Sequence, residues 1–357
     1  MDLLPLLQRG GEQPLPAPGG AAIGLLFGFF AQRSSFCLRA AVIEFARGQP
    51  GEKLAVWLLA FSAAVVAVQA MLLAGWIDVG GARQLASRGS LSGAAVGGLV
   101  FGAGMVVSRG CASRLLVLSA NGNLRALLSG LIFAVTAQAG LGGVLAPLRQ
   151  EISGWWTVDG GVSRDLLAVA HVDRWAGLAF ALLWLLAALW YALRSRRGAW
   201  KWVGGLGAGL AVALGWACTA TIAASSFQVV PVQGLTFSGP SAEWLMRVVT
   251  APAAPVGFDF GLLPGVFAGS LLGGIVGGSL QLEGFGDGYG MRRYIAGAVL
   301  MGFGAMLAGG CAAGAGVSGG AIFSLTAWLA LVCMWAGAAL TDRLLDRTPA
   351  SPARTGP

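Results

Sequence analysis

Charge is what this chain has least of. Only 11% of its 357 residues are Asp, Glu, Lys or Arg, while 56% are hydrophobic. A soluble domain carries about 25% charged residues, so an ordinary water-facing globular domain is excluded. Histidine is nearly absent: His171 is the only one. No CxxC pair occurs among the five cysteines, Cys37, Cys111, Cys218, Cys311 and Cys333. A zinc or haem site therefore lacks ligands, a histidine proton relay lacks its residue, and no cofactor is implied. The cysteines fall within or beside apolar segments, which is not the disulfide framework of a small secreted domain. A secretory signal is also missing, because Met1–Gly20 is rich in Pro and Gly and its apolar core is too short.

Long apolar runs are what the chain does have. Leu54–Trp76, Leu124–Leu148, Trp175–Leu193, Val203–Ala224, Gly261–Leu282, Ile295–Ala308 and Ala321–Leu340 dominate it, and its mean hydropathy is +0.75. The runs are continuous rather than alternating, which favours helices over a transmembrane barrel. With the glycine-interrupted segments between them, they predict roughly eight to ten crossings or part-crossings. The expected fold is an all-α polytopic membrane protein.

The formal net charge is +8, which in a soluble protein would suggest nucleic acid. Here the basic residues sit in loops between apolar runs, so topology accounts for them and no nucleic acid is implied. Arg39, Arg47 and Lys53 mark one loop as cytoplasmic. Arg194, Arg196, Arg197 and Lys201 mark another, and Arg343, Arg347 and Arg354 mark the C-terminal tail. Arg149–Arg174 is mixed in sign, carries Trp155 and Trp156, and reads as an external interfacial loop.

Two copies of the motif GxGxxxxxGCA lie 200 residues apart (311 − 111). The first reads FGAGMVVSRGCAS and the second MGFGAMLAGGCAA. At that offset Gly97, Gly102, Gly104, Gly110 and Ala112 match Gly297, Gly302, Gly304, Gly310 and Ala312. A second ungapped match, at an offset of 181 (218 − 37), pairs GLLFGFFAQRSSFC with GLGAGLAVALGWAC, and so Cys37 with Cys218. Internal duplication predicts two related halves, with the substrate site where they meet. The expected organisation is an N-terminal tail (1–19), one membrane domain (20–341) and a C-terminal tail (342–357). Within the domain, repeats at about 20–148 and 203–341 are joined by 149–202. Parallel and inverted arrangements both remain open.

The glycines carry two meanings. Pairs such as Gly98 with Gly102 and Gly273 with Gly277 let helix backbones approach. The clusters Gly309–Gly310 and Gly314–Gly316 predict unwinding, tolerated at membrane depth only inside protein or along a cavity. In each glycine–cysteine unit a second short helix follows (Ala112–Ser119, Ala312–Ser318), whose free N–H groups favour an anion. Arg109 and Arg114 flank the first cysteine, whereas glycines hold the equivalent positions in the second unit. Cys333, in a regular apolar helix, reads as a small buried hydrophobe. Phe227–Pro240 is too broken to span and reads equally as a re-entrant or an external loop.

SSFCLRAA, SRGCASRL and GGCAAGAGVSG, in that order and at these separations, resemble the YeeE/YedE membrane family, over about Gly20 to Leu340. The resemblance implies import of thiosulfate, with related members tied to other sulfur or selenium metabolism. It also implies an inner-membrane fold of pseudo-symmetric halves, whose short re-entrant helices form an hourglass. Three cysteines along the central path match Cys37, Cys111 and Cys311. Cys218 lies outside that trio and ranks below it.

On this reading the pathway residues are Cys37, Cys111, Cys311, Gly110, Gly310, Arg109 and Cys218. The partners are thiosulfate or a related small sulfur anion, membrane lipid, and a cytosolic sulfur-carrier protein that consumes the arriving substrate. The C-terminus is expected in the cytoplasm. Cys111 and Cys311 are expected to approach near mid-membrane, with Cys37 displaced toward the cytoplasmic side. The alternative is a membrane thiol enzyme performing persulfide or disulfide exchange, which the absence of CxxC and of a nearby histidine weakens.

Overall fold

The computed structural model describes residues 16–49, 51–194, 198–226, 230–249, 257–285 and 288–345. Its regular structure is helical, apart from one two-residue antiparallel pairing of Gly89–Ser90 with Thr157–Val158. Among the described residues, nine spans are long and apolar enough to cross a membrane, from Pro16–Ala46 to Leu325–Leu345. The protein is a multi-pass α-helical membrane protein. Arg196, Arg197, Arg347 and Arg354, the first residues of the Phe227–Pro240 stretch, and both chain ends lie outside the described residues.

Leaving aside the one-turn helices Arg83–Ala86 and Leu166–Val169, the first six helices are α1 (Pro16–Ser34), α2 (Leu38–Ala46), α3 (Glu52–Leu73), α4 (Leu91–Val107), α5 (Ala112–Ala120) and α6 (Leu124–Gly142). Two helices follow, α7 (Ala146–Gly154) and α8 (Arg174–Arg194). Then come α9 (Ala199–Ser225), α10 (Ser238–Val249), α11 (Phe258–Gly277), α12 (Gly288–Leu307), a π-helical segment (Ala312–Gly319) and α13 (Leu325–Leu345). The order long, short, long, long, short, long thus runs from α1 to α6 and again from α9 to α13.

Glycine spacing decides which helices meet. Gly20, Gly24 and Gly28 of α1 face Gly261, Gly265 and Gly269 of α11, and a methyl on any of them would strike the partner's backbone carbonyls. Gly205 and Gly209 seat α9 on α3 at Val56 and Ala60. Gly97 and Gly104 bring α4 against α12, Gly98 and Gly102 bring it against α13, and Gly302 brings α12 against α6. Gly19 lies beside Cys218 and Gly204 beside Ser34, so α1 and α9 run antiparallel.

Basic and acidic residues tie one end of the bundle together. Arg47 of the α2–α3 turn donates to Asp342 near the end of α13 at 2.7 Å, and Lys201 at the start of α9 reaches Glu52 at the start of α3 at 2.6 Å. At the other end, Arg164 donates to the Ser87 carbonyl at 2.7 Å and to Thr326 at 2.5 Å, pinning the α4-side and α8-side loops to α13. α8 lies on the periphery, with Leu183, Leu186 and Leu193 more than 60% exposed. Such an aliphatic face is stable against lipid tails rather than water.

Two expectations need adjusting. Gly309 does end a helix, with φ +77°, but the chain does not unwind across Gly314–Gly316. It widens into a π-helix, every residue of which is buried. Small residues permit this, because Thr236, Leu331, Ala327 and Phe61 pack directly against Gly314, Gly316, Gly319 and Gly320. The helix expected from Ala321 begins instead at Leu325, after a turn in which Phe323 adopts φ +53°.

Candidate substrate pathway

Cys37, Cys111 and Cys311 occupy one local geometry. Each immediately precedes a short helical segment: α2, α5 and the π-helical segment. Two residues before each cysteine the backbone has positive φ, at Ser35 (+54°), Arg109 (+58°) and Gly309 (+77°). The next N–H then bonds back across the end of the preceding helix: Phe36 to Ala31, Gly110 to Met105 and Gly310 to Ala305. This left-handed helix stop satisfies the last carbonyls and reverses the chain sharply. Gly310 is needed there because a methyl would strike the Ala315 backbone, whereas at Gly110 it would meet only the end of the Leu115 side chain.

None of the three cysteines makes a side-chain capping hydrogen bond. Ordinary caps occur elsewhere in the chain, where Ser90 accepts from Gly93 N–H and Asn123 from Ala126 N–H. An oxygen cap contributes about 1 kcal/mol to a helix. The cysteine starts forgo it and leave first-turn N–H groups, with their partial positive charge, open to another acceptor.

The three thiols are buried in one core cluster. Cys37 Sγ and Cys111 Sγ are 4.0 Å apart, and Cys111 Sγ lies 3.4 Å from Ser113 Oγ. The π-helical segment that Cys311 begins packs against α5, the helix that Cys111 begins. On the Cys37–Cys111 side, Arg114 Nη1 donates to Gln32 Oε1 at 3.3 Å, and Gln32 Nε2 donates to Ser279 Oγ at 3.0 Å. These residues line a cavity of about 260 Å³ with Arg33, Ser35 and Asn121. On the Cys311 side the space is filled. Trp216 Nε1 donates to the Ser318 carbonyl at 3.3 Å, Ser318 Oγ donates to the Leu235 carbonyl at 2.6 Å, and Trp216, Leu235 and Phe237 are at most 1% exposed.

The three cysteine turns lie inside a polytopic helical bundle. The sulphur-transport family matches residues 33–340. The chain belongs to this family, YeeE/YedE. Thiosulfate transporter TsuA of Spirochaeta thermophila is 26% identical over 88% of this chain and 94% of its own length. Thiosulfate transporter TsuA of Escherichia coli is 24% identical over 94% of this chain and 96% of its own length. The family is one of transport, not of catalysis.

Within this family member the remaining sequence-predicted residues fall elsewhere. Cys218 lies inside α9, half-buried against Gly19 of α1, and starts no helix. The helix start matching α2 is that of α10, at an offset of 200 (238 − 38). The residue before α10, as Cys37 is before α2, is Phe237, which packs on Phe27 with ring centroids 5.2 Å apart. Cys333 sits inside α13 facing Gly98. Arg109 is exposed and holds the left-handed turn position that Gly309 holds in the other half. Sequence reasoning named Arg114 only as a flank and missed Gln32, Ser113 and Asn121. The Ser-x-x-Cys-x-Ser-Arg run around Cys111 was the available signal, since polar residues at a buried helix start need a reason.

Proposed function

We propose that this chain imports thiosulfate, or a closely related small sulfur-containing anion, across the inner membrane along a path lined by Cys37, Cys111 and Cys311. The observation that carries the reading is the threefold recurrence of one turn: helix stop, buried cysteine, and an uncapped helix start. The names of the two relatives support the substrate. The terminal sulfur of thiosulfate is a soft, weak acceptor, and a thiol is a weak donor of matching character. The anionic oxygens are suited to the first-turn N–H groups beside each thiol. Weak sites in series admit and release a substrate, whereas one tight site would trap it.

The packing pairs support two inverted halves. Exchanging the halves turns the α1–α11 contact into α9–α3 and the α4–α13 contact into α12–α6, while α1–α9 and α4–α12 map onto themselves. The end carrying Arg33, Arg47, Lys53, Lys201 and Arg343 is read as cytoplasmic from its excess of basic residues. The C-terminus is then cytoplasmic, and the cavity beside Cys37 and Cys111 is the exit, where a cytosolic sulfur-carrier protein takes the substrate. The test is uptake of radiolabelled thiosulfate by proteoliposomes holding the purified chain. Saturable uptake that sulfite or a selenium analogue does not outcompete is expected; no uptake above empty liposomes contradicts the reading.

One observation favours a second reading. The 4.0 Å separation of the Cys37 and Cys111 sulfurs is short enough for thiol–disulfide chemistry after a small shift. Mass spectrometry of the protein after turnover distinguishes the two. Unmodified thiols accord with conduction, and a persulfide or disulfide accumulating with turnover accords with a covalent relay.

A further inference from the structure

Among the described residues, the cavity at the basic end contains more positive charge than neighbouring carboxylates neutralise. Arg33 has no carboxylate partner among the described residues: its guanidinium lies over the Trp200 ring at 5.4 Å, and its Nε is buried without a hydrogen-bond partner. Among the described residues, Arg114 donates to the neutral amide of Gln32, at 3.3 Å, and to no carboxylate. The one carboxylate in the lining, Glu283, is already held by Arg125 at 3.0 Å and by Asn123. Removing an arginine from bulk water without a counter-charge is costly unless an anion joins it. Arg side chains also match oxyanions geometrically, with planar forked donors.

We propose that this cavity is a second anion site. It takes one small divalent oxyanion by charge and geometry, with Arg114 and Arg33 supplying the charge and Gln32, Asn121 and Ser279 supplying orienting polar groups. It discriminates by charge, whereas the cysteines discriminate by sulfur. Its position also has a purpose. Ser35, two residues before Cys37, and Arg114, three residues after Cys111, both line it, so the cavity adjoins the turns that hold the thiol pair. The second glycine–cysteine unit carries no such groups at the same offset of 200, where Gly314 stands for Arg114 and Ala321 for Asn121. An anion entering a cell moves against an inside-negative potential. A cationic station on the exit side alone lowers the energy of the substrate after it has passed the thiols.

The existence of the site does not depend on the transport reading; its purpose as an exit station does. The test is equilibrium binding of inorganic sulfate, which has the oxyanion but no soft sulfur, to the full chain in lipid nanodiscs. Wild-type protein is expected to bind sulfate saturably, and more weakly as sodium chloride is raised. Arg114→Gln is expected to weaken sulfate binding at least tenfold and Arg33→Gln to weaken it less, with Arg114→Lys recovering part of the affinity. Thermal unfolding of each variant shows that it is folded. Absence of saturable sulfate binding by folded wild-type protein, or unchanged binding by folded Arg114→Gln, overturns the proposal. Sulfate binding in a protein that imports no thiosulfate would leave the anion site standing and overturn the transport reading instead.

Discussion

The two halves solve one backbone problem with different side chains. In the first half the short-helix starts carry Cys37 and Cys111 with Arg114 behind them, and a polar cavity opens beside the pair. In the second half the matching positions carry Phe237, Cys311 and Gly314, and Trp216, Leu235 and Phe237 fill the space. The Cys111 and Cys311 turns share one backbone geometry, whereas Phe237 follows a non-helical stretch in which Leu235 is not left-handed; there both backbone and chemistry differ. On the proposed organisation of two related halves, the shared turn fixes where donors can point, while the side chains that differ decide which end is wet and cationic.

The sharpest way to break this comparison is to remove the thiols that the halves share. Cys111→Ala and Cys311→Ala are each expected to reduce thiosulfate uptake by about fivefold or more, since losing a buried donor costs about 1–3 kcal/mol. Wild-type uptake in either folded variant would separate the turn from the substrate. Phe237→Ala tests the packed side. It is expected to destabilise the fold by about 3–5 kcal/mol through a cavity beside Phe27, and an unchanged unfolding temperature would mean that this side is not a packed core.

Serine in place of Cys111 or Cys311 keeps a donor of similar size. At least one of these variants is expected to retain partial uptake. Complete loss in both, together with a persulfide on the wild-type protein, would favour the covalent reading. Cys218→Ala and Cys333→Ala should change uptake by less than about twofold, because each cysteine only fills a notch beside a glycine of a neighbouring helix. Arg109→Gly should be smallest of all. It grants the left-handed turn the residue that Gly309 supplies in the other half, an effect of about 1 kcal/mol at most, read from thermal unfolding.

The two glycine–cysteine units were legible in the sequence because turn and thiol recur together at one offset. The ungapped match that pairs Cys37 with Cys218 does not give the two cysteines the same local structure, for a physical reason. Gly24 and Gly28 do match Gly205 and Gly209, and both pairs seat a helix on the partner half. That register holds only along the helix. α1 stops at Ser34, whereas α9 continues through Ser225, so Cys218 stays inside a regular turn and the reversal comes later, before Ser238. Helix-packing glycines and turn-forming residues obey different constraints, and an ungapped match cannot separate them. The π-helix was illegible for a related reason. Runs of Gly and Ala are equally compatible with unwinding and with a wide helix, and the choice depends on Thr236, Phe61 and Leu331, which are remote in sequence. Arg114 and Gln32 are likewise joined only by the fold, 82 residues apart.

The most direct test of the account is an experimental structure of the full chain in a lipid nanodisc with thiosulfate bound. The account predicts the anion on the path between the Cys311 turn and the Cys37–Cys111 pair, its terminal sulfur against a thiol and its oxygens toward a helix start. Thiosulfate found only on a surface remote from all three cysteines, with the thiols still packed among apolar side chains, would contradict it.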